Sequence, residues 1–329
     1  MGKGKISVLF VSFIFIISCI LTSKMAKADE PIVTKTISGI ISYNIGENGE
    51  NNAKKVTKVL GNYPVILVYK DVNNKTKSIP VITNSSGYYT TVINSSVKIS
   101  AVWFEIMSEN KSCSVYRKFK LINNKPYSYK SNEFPINVKQ NTININLKIE
   151  DDNVIGALNI ARVINNAKDF FFNATGIDTP KIPVYWTYGV GENSFTLTDP
   201  AFEPVGNFGF MQLSGEDHDE RDESVIVHEY GHWVFGKIRG IGRFMSGSHS
   251  SSKEIHSALA YSEGLATFFG QSFLNIDQYV DGGTLKYSIE TPPSRFTKGI
   301  NNEAYVSASL WDVIDSYNNT EQWDNVNKW

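Results

Sequence analysis

Apolar residues fall at every second position in short runs between Ile32 and about Glu150: Thr36 to Ser42, Val65 to Tyr69, Tyr88 to Ile93, Val102 to Ile106 and Ile143 to Ile149. The runs are rich in β-branched and aromatic residues, and turn clusters such as Asp71-Val72-Asn73-Asn74 and Asn84-Ser85-Ser86-Gly87 separate them. A period of two puts the apolar side chains on one face of a strand, so residues 29–150 are expected to form an antiparallel β-sandwich. After Asp151-Asp152-Asn153 the spacing changes to three and four from Val154 to Phe172, which predicts a helix. Pro183 to Tyr188 and Phe208 to Leu213 are strand candidates, the second read as an edge strand on which an extended peptide could lie. Two segments beyond them, around Val225 to Phe235 and Tyr261 to Phe269, are apolar all round and predict buried helices. A last amphipathic helix is expected from Glu303 to Asp315. Residues 151–329 therefore form a second, α+β domain that is mostly helical around its centre.

Two lysines followed by an apolar run from Ile6 to Leu21 and the small-x-small step Ala26-Lys27-Ala28 make residues 1–28 a secretory signal peptide. The run falls short of the roughly 20 residues that a spanning helix needs, so no membrane span is expected after cleavage. Ile16-Ile17-Ser18-Cys19 offers the alternative of a lipoprotein attached to the cell surface. Cleavage after Ala28 removes four of the 32 basic residues and leaves 28 facing 33 acidic ones, a net charge of −5. No basic patch invites nucleic acid. Of the 2 cysteines only Cys113 remains, so no intrachain disulfide can form in the exported protein; this suits a secreted bacterial enzyme. With 41% apolar and 12% aromatic residues the chain can bury a sizeable core.

The candidate chemistry lies in His228-Glu229-Tyr230-Gly231-His232, at the centre of the first buried helix. Residues four apart share a helix face, so both imidazoles can point at one zinc ion. Glu229, about 100° round the helix, then sits beside the metal, where it can take a proton from an activated water. Two histidines and a glutamate on an apolar helix would be costly to bury without a metal or partners. A third protein ligand is required. The extended metzincin pattern is excluded, since Phe235 and Ile238 stand where its Gly and His would be, and His249, His256 and Glu263 remain.

The pair His-Glu-Tyr-Gly-His and, 31 residues beyond His232, Ser262-Glu263-Gly264-Leu265-Ala266-Thr267-Phe268-Phe269 resembles the gluzincin zinc metallopeptidases, on their thermolysin and fungalysin side. The resemblance covers roughly residues 155–316. It implies a zincin-like domain that hydrolyses peptide bonds, with one catalytic Zn²⁺ on His228, His232 and Glu263 and with Glu229 as general base. It also implies an endopeptidase acting on protein or peptide substrates. Thr267 replaces the aspartate that such enzymes place behind a zinc histidine; a hydroxyl orients an imidazole more weakly than a carboxylate. Tyr305 and His256 are the candidates for a donor to the transition state. In the N-terminal segment, Ser-Gly-Ile-Ile-Ser, Pro-Val-Ile-Leu-Val-Tyr and Ser-Gly-Tyr-Tyr are similar to carboxypeptidase-regulatory-like or transthyretin-like modules.

The acidic run Glu216 to Glu223 precedes the motif. Asp219 or Asp222 is expected to cap the helix there, with a Ca²⁺ loop as the alternative, although EF-hand spacing is absent. Ser251-x-x-Glu254 reads as a capping box for the next helix. A competing reading of the whole chain is a surface or adhesion protein whose zincin-like domain is catalytically idle.

Overall fold

The computed structural model describes residues 32–46, 54–117, 125–191, 193–198, 209–238 and 248–314; the expected signal peptide lies outside them. In the first half, one five-stranded sheet is built on the long strand β1 (Val33–Gly46). Its leading part pairs antiparallel with β5 (Tyr88–Ser95) and its trailing part with β2 (Lys55–Val59). On the other side β10 (Thr142–Asn144) and β11 (Leu147–Ile149) run parallel to it, a departure from the all-antiparallel expectation. The strand predicted as one run from Ile143 to Ile149 is broken in two where Gly39 approaches it; a Cβ there would stand 2.0 Å from the Ile145 carbonyl oxygen.

A second five-stranded sheet has the order β4-β3-β6-β8, with β9 also on β6. These are β3 (Pro64–Asp71), β4 (Thr76–Ile82), β6 (Ile99–Met107), β8 (Ser128–Lys130) and β9 (Phe134–Pro135). Alternate residues of β1, β3, β5 and β6, among them Ile37, Ile41, Leu67, Ile93 and Phe104, are fully buried, as their period of two requires. β2 and β4 escaped the sequence reading because they are short and mostly polar, and β4 carries Pro80, which suits its edge position.

The third sheet has the order β13-β14-β12-β7 and is shared by both halves of the chain. β7 (Cys113–Tyr116) comes from the first half and pairs parallel with β12 (Ile182–Tyr185). β14 (Gly209–Gln212) pairs parallel with β12, and β13 (Phe195–Thr198) pairs antiparallel with β14. The predicted edge strand is therefore an inner one. β13, too short and mixed to be read from the sequence, forms the edge outside it.

Helix α1 (Asp152–Thr175) starts where the Asp151 carboxylate accepts from the Asn153 N–H and ends at Gly176, whose φ of 71° only glycine adopts freely. It buries Leu158, Ile160, Ala161 and Ile164 in one core continuous with the sheets. Two further helices, α2 (Glu223–Ile238) and α3 (Ser257–Leu274), pack closely because small residues face each other: a Cβ on Gly231 would meet Ala266 Cα at 3.1 Å. The hairpin of β15 (Gln278–Asp281) and β16 (Thr284–Ser288) follows, and α4 (Glu303–Ile314) closes the described chain over α3. Contact between α3 and α4 is equally close, since a Cβ on Gly264 would lie 2.6 Å from Val306 Cβ.

Candidate metal centre

α2 is buried along most of its length, and its histidines emerge one turn apart toward α3. His228 Nε2 and His232 Nε2 stand 3.2 Å apart. Glu263 Oε2, on α3, lies 3.2 Å from the first and 3.0 Å from the second. Ligand atoms about 2.0–2.1 Å from a tetrahedral ion are separated by about 3.3–3.4 Å, so this triangle has nearly the dimensions of three corners of a zinc site. Two imidazoles and a carboxylate are also a donor set that zinc takes. Among the described residues the cluster comprises these three.

Electrostatics keep the carboxylate charged. Burial alone would raise the pKa of Glu263, but His232 and hydrogen bonds from both imidazoles hold it far below the usual carboxylate range. Glu229 is 7% exposed, and its Oε2 has no hydrogen-bond partner, so a buried acceptor is left free beside the triangle. The Glu229 backbone carbonyl accepts from Thr196 Oγ1 at 2.9 Å, which ties β13 alongside the motif.

Behind His228, its Nδ1 lies 3.0 Å from Thr267 Oγ1, as expected of a hydroxyl standing in for a carboxylate. Thr267 is itself buried and neighbours the buried Tyr287 hydroxyl. The His228 ring also packs on Tyr279 of β15 with centroids 5.8 Å apart.

His249, only one of several open choices for a third ligand in the sequence, stands at the rim. Its Nε2 is 3.6 Å from Glu263 Oε2, and its Nδ1 is 2.8 Å from Glu303 Oε2 at the start of α4. The hydrogen bond to Glu303 pushes its pKa up to about 9, against the opposing effect of burial. This pair was missed as a unit because 54 residues separate its members and no local spacing betrays it. His256 is exposed and caps α3, accepting from the Ala258 N–H at 3.2 Å, so the cap falls on His256 rather than on Ser251. Tyr305 packs against the cluster of Tyr287, Phe296 and Trp311; among the described residues no hydrogen bond joins it to the triangle.

Residues 173–329 match a family model described as Mycolysin C-terminal domain. This relates the segment coarsely to thermolysin-like metallopeptidases and to extracellular bacterial proteins. An uncharacterized protein of Archaeoglobus fulgidus is 31% identical over 113 residues, which cover 32% of this chain and 32% of that relative. The chain thus spans about a third of the length of the curated relative it matches. Among the described residues no helix is long and apolar enough to cross a membrane.

Proposed function

We propose that the chain is an exported zinc-dependent metallopeptidase, with zinc held by His228, His232 and Glu263 and with Glu229 as general base. The observation that carries this reading is the triangle of 3.0–3.2 Å formed by three ligand atoms beside a buried, unpartnered Glu229 oxygen. The first half is read as a β-sandwich module and residues 151–329 as a zincin-like domain. Three protein ligands leave a coordination position open, whereas a purely structural zinc site is closed by four; this favours a working enzyme over an idle one.

When bound, zinc would act as a Lewis acid that lowers the pKa of water to about 7 and polarises a carbonyl. The remaining work falls to the chain's own groups. Glu229 Oε2 takes the proton of the attacking water and passes it to the departing amine. His249, held by Glu303, donates to the carbonyl oxygen as negative charge develops there. Thr267 accepts from His228 Nδ1–H and so fixes the tautomer that leaves Nε2 for the metal. β13, the edge of its sheet and tied to the Glu229 carbonyl, offers its backbone to an extended peptide. Recognition through backbone pairing requires no chain end, which supports an endopeptidase acting on protein or peptide substrates.

The test is cleavage of casein or a peptide library by the zinc-loaded protein and by its Glu229→Gln form. Loss of the base should lower kcat by about 10²–10⁴-fold with zinc content unchanged. Equal cleavage by the two would overturn the mechanism.

A further inference from the structure

β13 consists of Phe195-Thr196-Leu197-Thr198, and successive side chains of a strand point to opposite faces of its sheet. The two threonines turn toward α2. Thr196 Oγ1 donates to the Glu229 carbonyl at 2.9 Å, and a Cβ on Gly236 would stand 2.7 Å from Thr198 Oγ1, so that face is filled. Phe195 and Leu197 occupy the other face, where they are 42% and 40% exposed. Phe210 of β14 stands directly opposite Leu197, and its ring meets that of Phe195 edge to face with centroids 5.8 Å apart. Phe210 is braced in turn on Tyr185 of β12 at 5.4 Å, and Tyr185 on Tyr116 of β7 at 5.8 Å.

An aromatic row therefore crosses the sheet and ends at the strand beside the metal centre. Its contacts hold the Phe195 ring in place, so little side-chain freedom is left to lose when a ligand covers it. Among the described residues no strand pairs with the outer side of β13. Exposed edges are ordinarily blunted by charge, proline or a bulge; β13 carries neither charge nor proline, and its pairing with β14 runs in register over all four residues. A residue pairing opposite Phe195 or Leu197 would have its Cβ about 4.5–5.5 Å from theirs, on the same face. A peptide added along β13 thus lays alternate side chains against these two, while the residue between them faces α2.

We propose that Phe195 and Leu197 select the substrate. On the reading that the chain is a peptidase fed along β13, its preferred substrates are extended segments in which two large apolar residues flank one residue of any kind, as in an unfolded amphipathic strand. Polar residues at the flanking positions would cover apolar surface without gaining a hydrogen bond. The selecting face lies away from the zinc ligands, so metal content plays no part in the choice.

Binding is read without turnover in the zinc-loaded Glu229→Gln full chain, by fluorescence anisotropy of two labelled peptides of equal composition. In one, Phe and Leu alternate with Ser and Lys; in the other, the apolar residues come in adjacent pairs separated by pairs of polar ones, so that none stand two apart. The alternating peptide should bind about tenfold more tightly. Leu197→Lys and Phe195→Lys, both at exposed positions, should each abolish the difference and favour a peptide with Glu at the alternating positions, with zinc content unchanged. Should Phe195→Lys lower the unfolding midpoint by loosening Phe210, Leu197→Lys carries the test. Equal binding of the two peptides, or an undiminished preference in Leu197→Lys, would overturn the proposal. Cleavage of a peptide library by the wild-type chain separates the two readings: cleavage without the alternating preference sinks the selection alone, whereas alternating preference in binding without any cleavage sinks the activity alone.

Discussion

Thr267 is the residue on which the strength of the metal centre turns. The hydroxyl reaches His228 Nδ1 at 3.0 Å in a buried setting, so it fixes the ring but lends it less basicity than a carboxylate would. Thr267→Val keeps the shape and removes the acceptor, and should weaken zinc binding by about 10–100-fold in a chelator competition. Glu263→Ala removes a ligand atom and should lose zinc at lower chelator concentration still, while Glu229→Gln keeps it. Full zinc occupancy in Glu263→Ala would transfer the third ligand to His249, whose Nε2 is 3.6 Å from Glu263 Oε2. The histidine pair was legible in the sequence because four residues make one helical turn. Glu263 was legible only through resemblance, and the His249–Glu303 pair not at all, since tertiary folding alone brings a loop onto the first turn of α4.

At the scale of elements, periodicity located α1 and the long strands, where many residues repeat one burial pattern. It failed where pairing rather than patterning makes a strand, as in β7 and β13, each of four residues. The segment before α2 was expected to cap that helix, yet the Asp222 carboxylate reaches across to the β15–β16 turn instead. This has a pH signature. Burial, with Asp217 and Asp281 adding to it against the Ser194 hydrogen bond, pushes the pKa of Asp219 up to about 8. Burial likewise raises Asp222 to about 7, opposed by the N–H groups of Gly282 and Gly283. An unfolded aspartate titrates near 3.9, so between about pH 4 and pH 8 the folded state binds the more protons, and its stability falls as pH rises. The protein should therefore show a falling unfolding midpoint across that window, and Asp219→Asn should flatten the slope. A wild-type slope unchanged in the variant would remove these carboxylates as its cause.

For the molecule as a whole, the question is whether the half that carries the metal centre can stand without the half that precedes it. β12 has β14 on one side and β7, from residues 113–116, on the other, so the sheet beside α2 is incomplete without the first half. Side chains cross the same boundary. Arg162 Nε donates to the Tyr43 hydroxyl at 2.9 Å and its Nη2 to Glu223 at 2.5 Å, while Lys58 lies 3.1 Å from the same carboxylate. Burial would raise the pKa of Glu223, yet Arg162 and Lys58 hold it below the ordinary value, and it is the first residue of the helix that carries both histidines. Asn110 Nδ2 donates to the Ala161 carbonyl on α1, and the Tyr127 hydroxyl to the Trp186 carbonyl, each at 2.9 Å. Removing the first half would bare the edge of β12 and leave Arg162 and Glu223 without their outer partners. A fragment of residues 151–329 is expected to aggregate or to melt without a cooperative transition, because an unpaired apolar strand edge is a template for association. The full chain should unfold in one transition, coincident by tryptophan fluorescence and by circular dichroism, because a shared sheet and one continuous core couple the halves. Two separated transitions, or a soluble and cooperative 151–329 fragment that binds zinc, would show that the first half is a passenger rather than part of the framework on which the centre is built.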